Sequence, residues 1–201
     1  MNYHRDLVPA LTKKARDTVT KYLSVPKLAE RDFSFCCVTP ALFSVMESIT
    51  FDDEHDCIVT TDCIYHSLVD TLEYYKLTKK VRVHVVETPP NATQDTIFEA
   101  FQASLDELRK DTGVVVKLAV FDHISSKPSV VFPARRMCEF CRILGIPTLV
   151  DAAHVPGTLR ERDISVEDLG PTFYAVTFHK WCNALRPTGG LWVNRAEIEE
   201  R

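Results

Sequence analysis

Two short apolar runs in this chain each end in ionisable residues. Thr148-Leu149-Val150 leads into Asp151 and, three residues on, His154. Phe173-Tyr174-Ala175-Val176 leads through Thr177 into His179 and Lys180. In open α/β sheets the ligand crevice lies outside the carboxyl ends of the strands. Two neighbouring strands of this kind deliver a carboxylate, two imidazoles and an amine to one place. That set suits an aldehyde cofactor with a pyridine ring. A lysine holds the aldehyde as a Schiff base, and a carboxylate facing the ring nitrogen keeps it protonated, which makes the ring an electron sink. Asp151 supplies the carboxylate and Lys180 the amine. Thr177 and His179 flank the lysine as donors for a phosphate, and His154 lies where it can reach a ring hydroxyl.

At these residues the chain resembles a known family. Asp-x-Ala-His followed by Thr-x-His-Lys is similar to the pyridoxal-phosphate signature of the class V aminotransferases, which include cysteine desulfurases, isopenicillin N epimerase-like proteins and carbon–sulfur lyases. Phe121-Asp122-His123-Ile124-Ser125-Ser126, with Val130-Val131-Phe132-Pro133 after it, resembles the epimerase-like branch most. The resemblance runs over residues 3 to 195. It implies pyridoxal 5'-phosphate as cofactor, a small amino-acid substrate and a homodimer. It makes Lys180 both the Schiff-base residue and a mover of protons. It also places Thr39 on the phosphate, where relatives carry Asn-Ala-Thr and this chain has Cys37-Val38-Thr39. Tyr65, or His66 beside it, stacks on the cofactor ring, and His123 lies near the ring oxygen or the substrate. A plain structural reading stands beside three of these: a capped helix at Thr39, Tyr65 packed on its own helix, and His123 as a satisfied loop histidine.

Composition narrows the remaining classes. The 201 residues are 45% hydrophobic and 26% charged, a balance that supports one good-sized globular core. A formal net charge of −4 without a basic block argues against nucleic acid. No apolar run approaches the length of a membrane span, and the first residues do not form a signal peptide. Seven cysteines, an odd count without dense spacing, fit a reduced cytoplasmic setting. Cys138-x-x-Cys141 has no second pair, and His154 and His179 have no short ligand pair, so no metal site is expected. Six glycines without Gly-x-Gly-x-x-Gly leave a dinucleotide fold the weakest reading.

The elements that must position these residues are legible by period and punctuation. Residues 4 to 23 read as a helix with Leu7, Leu11, Val19 and Leu23 on one face, ending at Pro26. Phe33 to Val38 reads as a short apolar run before a helix, with Pro40 suited to the first helical position, and the resemblance implies a phosphate-binding turn at that helix's N-terminus. Asp56 to Thr61 and Val114 to Phe121 read as buried strands, and Val81 to Val86 as a half-exposed one. Thr93 caps a helix bearing Ile97, Phe98, Phe101, Leu105 and Leu108, which Gly113 ends. Pro133 opens a helix bearing Met137, Phe140, Cys141 and Leu144, which Gly145 closes. Gly189 to Val193 reads as one more strand, antiparallel by resemblance.

The βα alternation predicts an α/β fold, a three-layer αβα domain with a mostly parallel sheet, and the resemblance implies the large domain of the fold type I pyridoxal-phosphate enzymes. The division expected is an N-terminal helical segment over 1–32 and a cofactor-binding large domain over 33–201. By resemblance, a C-terminal small domain is absent. With it go the arginine that clamps the substrate carboxylate and a threonine that contacts phosphate across the dimer. The expected activity is lyase, epimerase, desulfurase or transferase chemistry on an amino acid. The alternative is a truncated, catalytically weak or inactive large-domain remnant.

Overall fold

The structure, a computed structural model, describes residues 3–25, 32–52, 54–160 and 163–199. Pro26 and two residues of the charged connection after Arg160, Glu161 and Arg162, lie outside them.

Seven strands form one sheet: β1 (Phe33–Phe35), β2 (Asp56–Thr61), β3 (Arg82–Val86), β4 (Val115–Asp122), β5 (Thr148–Ala152), β6 (Phe173–Thr177) and β7 (Gly189–Val193), in spatial order β1-β7-β6-β5-β4-β2-β3. Pairing is parallel from β3 through β6, and β7 runs antiparallel to both β6 and β1. The central strands β2, β5 and β6 are buried along their whole length. This is why they read as continuous apolar or β-branched runs: helices cover both sides. Edge strand β3 keeps most of its side chains partly wet.

The helices are α1 (Val8–Tyr22), α2 (Val38–Ser48), α3 (His66–Lys79), α4 (Gln94–Leu108), α5 (Ala134–Ile143), α6 (Val166–Leu169) and α7 (Arg195–Glu199), with a π-helical turn Tyr3–Leu7 before α1. They sort into two layers by the core they share. Leu42 and Met46 of α2 and Leu68 and Tyr75 of α3 pack with Ile58, Val120, Leu149 and Ala175. Phe101 and Leu105 of α4 and Met137 and Cys141 of α5 pack with Val59, Phe121, Val150 and Val176. The alternation of sheet residues between these sets is the two-residue period of a strand. The result is the three-layer αβα arrangement.

Local chemistry explains most boundaries. Thr93 accepts the amide of Thr96 at 3.2 Å while Thr96 Oγ1 accepts that of Thr93, a reciprocal cap on α4. Thr148 and Thr172 exchange backbone-to-hydroxyl bonds, both 3.0 Å, which ties the starts of β5 and β6 together. Gly190 leaves room for Phe33, whose ring would lie 2.0 Å from an added Cβ.

Three expectations are corrected. The apolar run at Phe33 leaves the sheet at Phe35, and Val38 already belongs to α2; Pro40 is therefore the third helical residue, not the first. Helix α4 ends at Leu108, before Gly113, which lies in the loop to β4. Leu11 is 54% exposed, so the apolar face of α1 is buried only towards Thr20 and Leu23.

Candidate active site

The carboxyl ends of β4, β5 and β6 are in register. Asp122 pairs with Asp151, and Asp151 in turn with Ala175. Asp122, Asp151 and Thr177 continue the sheet face that packs on α2 and α3. They line a cavity of about 170 Å³ there, together with Lys180, His154 and His179. Helix α2 points its N-terminus at the same space, and Cys37, Val38 and Thr39 line it. Thr39 lines the opening at this N-terminus, where the helix dipole favours an anion. Pro40 offers no N–H there, while the Ala41 amide is spent on Cys37 O at 3.1 Å. Tyr65, 37% exposed, forms the outer wall, with Lys180 Nζ 6.0 Å from its ring centre. His66 packs on Tyr65 at 4.0 Å between ring centres and does not line the cavity.

The tight approach of two loops sets the lysine. Lys180 Nζ lies 3.0 Å from His154 Nε2; the amine donates and the imidazole accepts. Behind them Gly157 has φ +84°, and an added Cβ would stand 2.8 Å from the backbone of Trp181. Its amide donates to Tyr22 Oη at 2.9 Å, which brings the end of α1 to the site's rear wall. His179 Nδ1 donates to Thr188 O at 2.9 Å, since a carbonyl can only accept. Its Nε2 can then donate to an anion only as imidazolium.

Burial dominates the electrostatics. It lowers the Lys180 pKa, against the pull of Asp151 and Asp122 towards the charged form. It lowers that of His154, aided by the charge on Lys180. It raises both carboxyls; Asp122 is pushed further by Asp151, whereas Asp151 is held back by the Ala153 amide that donates to its Oδ1 at 2.9 Å. Asp122 Oδ1 has no hydrogen-bond partner among the described residues. Of this pair, Asp151 is the better-stabilised anion.

The cavity thus gathers seven of the eight expected site residues: Thr39, Tyr65, Asp151, His154, Thr177, His179 and Lys180. His123 is not among them. It follows Asp122 directly, so the strand period turns it to the opposite face. There it is 5% exposed, with Nδ1 3.0 Å from the Tyr174 hydroxyl. Burial lowers its pKa to about 4. Sequence reasoning passed over Asp122, although its place at the end of a buried strand was visible. Gly157 gave no usable signal, because the backbone that approaches it lies 24 residues away in sequence, at Trp181. Cys138 and Cys141 are buried thiols of the α5 core. Among the described residues no group of three or more His, Cys, Asp or Glu is placed to hold a metal ion.

This fold and site define an α/β protein in which a strand-end lysine and a strand-end aspartate share one cavity beneath a helix N-terminus. The chain belongs to the family described as Aminotransferase class-V, whose sequence profile matches residues 7–200. It is 34% identical over 131 residues to a probable L-cysteine desulfhydrase, chloroplastic, of Arabidopsis thaliana, covering 64% of this chain and 27% of that one. It is 30% identical over 156 residues to an L-cysteine desulfhydrase-like protein of Epichloe uncinata, covering 78% and 33%. To an isopenicillin N epimerase of Streptomyces clavuligerus it is 36% identical over 88 residues, covering 44% and 21%. The chain spans a third or less of the length of each of these relatives. Among solved structures, the cystine C–S lyase C-DES in complex with cysteine persulfide superposes with a TM-score of 0.77 at 17% identity, over 96% of this chain and 48% of that one. A C-DES mutant with glycine linked covalently to its pyridoxal-phosphate cofactor matches equally, at 0.77 and 18%. The fold is that of the fold type I pyridoxal-phosphate enzymes.

Proposed function

We propose that this chain carries the cofactor-binding site of a pyridoxal-phosphate-dependent enzyme acting on a small amino acid. The observation that carries the reading is the shared cavity of Lys180 and Asp151 at the N-terminus of α2. The donor set fits the group: an amine with a lowered pKa, a buried carboxyl with one backbone donor, and a helix N-terminus facing the same space. The cofactor, when bound, supplies an electron sink for carbanion chemistry at the substrate's Cα.

The residues would divide the work as follows. Lys180 would hold the group through its aldehyde, and burial favours the neutral amine needed for that. The same amine would move protons at the substrate's Cα. Asp151 holds a proton on the ring nitrogen. Thr39, the free amides at the start of α2, Thr177 and His179 hold the phosphate. Tyr65 lies against the ring. His154, which accepts from Lys180, would also be placed to hold a ring hydroxyl. His123 receives no role, because its side chain lies on the other face. Lyase chemistry is the form the desulfhydrase relatives favour; desulfurase, epimerase or transferase chemistry belongs to the same site. A cytoplasmic homodimer is part of this proposal. All seven cysteines are free thiols, and no described helix is long and apolar enough to cross a membrane.

The test is to mix purified chain with pyridoxal phosphate, reduce with borohydride and map the modified residue. A stoichiometric adduct on Lys180 is expected. A folded chain without one would overturn the reading in favour of a remnant that does not bind the cofactor.

A further inference from the structure

Asp122 and Asp151 are register partners on adjacent parallel strands, which lie about 4.8 Å apart. Both side chains project to the same face and line the same cavity. They are 3% and 5% exposed. Their surroundings differ in one respect. Asp151 Oδ1 accepts the Ala153 amide, whereas Asp122 Oδ1 meets no donor among the described residues.

We propose that Asp122 is a positioning residue: it retains the one proton held by the Asp122–Asp151 carboxyl pair, so that Asp151 alone presents a negative charge to the cavity. The inference deepens the preceding reading, on which it rests only for the identity of the ligand. There, the charge kept on Asp151 is what meets the ring nitrogen.

The charge balance of the site supports this. Two buried carboxylates facing one space cannot both ionise at ordinary cost. Lys180, after β6, is the cation that acts on both, and one amine offsets one charge. The other titratable groups lining the cavity are His154 after β5, His179 beside Lys180, Tyr65 ahead of α3 and Cys37 ahead of α2, and Tyr174 of β6, buried on the opposite face, is close enough to feel the charge of Asp151. Cys63, after β2, is close enough to feel the charge of Asp122, and burial holds its thiol up. None of these donates to Asp122 Oδ1. The proton therefore stays on the carboxyl whose Oδ1 meets no donor, and burial and Asp151 both push Asp122 in that direction. A neutral Asp122 also keeps a hydroxyl donor on the cavity floor without adding charge.

The test is made on the ligand-free full chain by carbon-13 NMR with carboxyl-labelled aspartate. One protonated aspartate is expected near neutral pH, and its resonance is lost in Asp122→Asn. Aspartates that are all ionised there, or a protonated resonance that persists in Asp122→Asn, would overturn the proposal. Thermal melting supplies a second readout. A carboxyl with a raised folded-state pKa costs stability as pH rises from its unfolded value towards its folded one. The melting temperature of Asp122→Asn is therefore expected to gain on the wild type between about pH 5 and about pH 8. A gap independent of pH would mean that Asp122 only packs. Neither readout uses pyridoxal phosphate, so a chain that took up none would remove the cofactor reading and leave this one standing.

Discussion

Asp122 and His123 are consecutive residues with opposite fates. Asp122 faces the α2/α3 side, where it joins Asp151 and Lys180 around an open cavity. His123 faces the α4/α5 side, where its ring meets Tyr174 and its backbone bonds Asp151 O and Phe132 N at 2.8 and 2.9 Å. Beside the cavity, Asp122 Oδ1 is buried without a partner among the described residues, whereas the ring and the backbone of His123 are paired. An unpaired buried polar group costs stability, so a carboxyl oxygen left unpaired at the wall of a cavity points to a ligand there. The contrast teaches which strand-end residue to read as a site residue, and it can be broken by substitution.

The largest difference is expected at Lys180. Lys180→Ala removes the amine and abolishes the borohydride-trapped adduct, in a chain that urea unfolding shows to be folded. An adduct that survives would place the reactive amine elsewhere.

The opposite face should respond to acid. His123 is neutral in the folded chain, its pKa lowered to about 4 by burial, whereas in the unfolded chain it takes a proton near pH 6.5. Its contribution is therefore intact above about pH 6.5 and is lost as pH falls towards the folded value, on the order of 3 kcal/mol by pH 4. His123→Gln, which can still bond Tyr174, should lose correspondingly less stability over that range. Equal acid sensitivity of the two proteins would mean that His123 is not the buried group titrating. Cofactor capture should be unaffected by the change.

Gly157→Ala tests the joint between the two strand-end loops. The positive φ and the 2.8 Å approach to Trp181 predict a loss of roughly 2 kcal/mol. Weaker adduct formation should accompany it, since the same approach holds Lys180 near His154. Wild-type melting and capture would show that the loops part freely.

The smallest effect belongs to the outer surface. Arg136 bonds Asp95 at 2.5 Å and lies 4.1 Å over the Phe98 ring, yet both charged side chains are well exposed. Arg136→Ala should cost about 0.5 kcal/mol and leave the site untouched. A cost several times larger would show that this exposed pair contributes to the α4/α5 packing.

Much of this was readable in the chain. Continuous apolar runs marked β2, β4, β5 and β6, because a strand covered on both sides has no polar face to show. The βα alternation gave three layers. Asp151 and Lys180 stood out as charged residues directly after such runs. Thr93, Pro133 and Gly145 punctuated helices through backbone chemistry that acts within a few residues, which is why they could be read locally.

What the sequence left open depended on geometry between distant segments. The turn of one residue from Asp122 to His123 selects the face, since strand side chains alternate with period two, and pairing with β5 decides which residue of the two meets Asp151. The start of α2 at Val38 depends on where β1 leaves the sheet. Gly157 matters only because the backbone of Trp181 arrives beside it. The amino-acid sequence determined the elements and the kinds of group at their ends. Register and packing decided which of those groups meet, because both are settled by neighbours that local residue patterns do not specify.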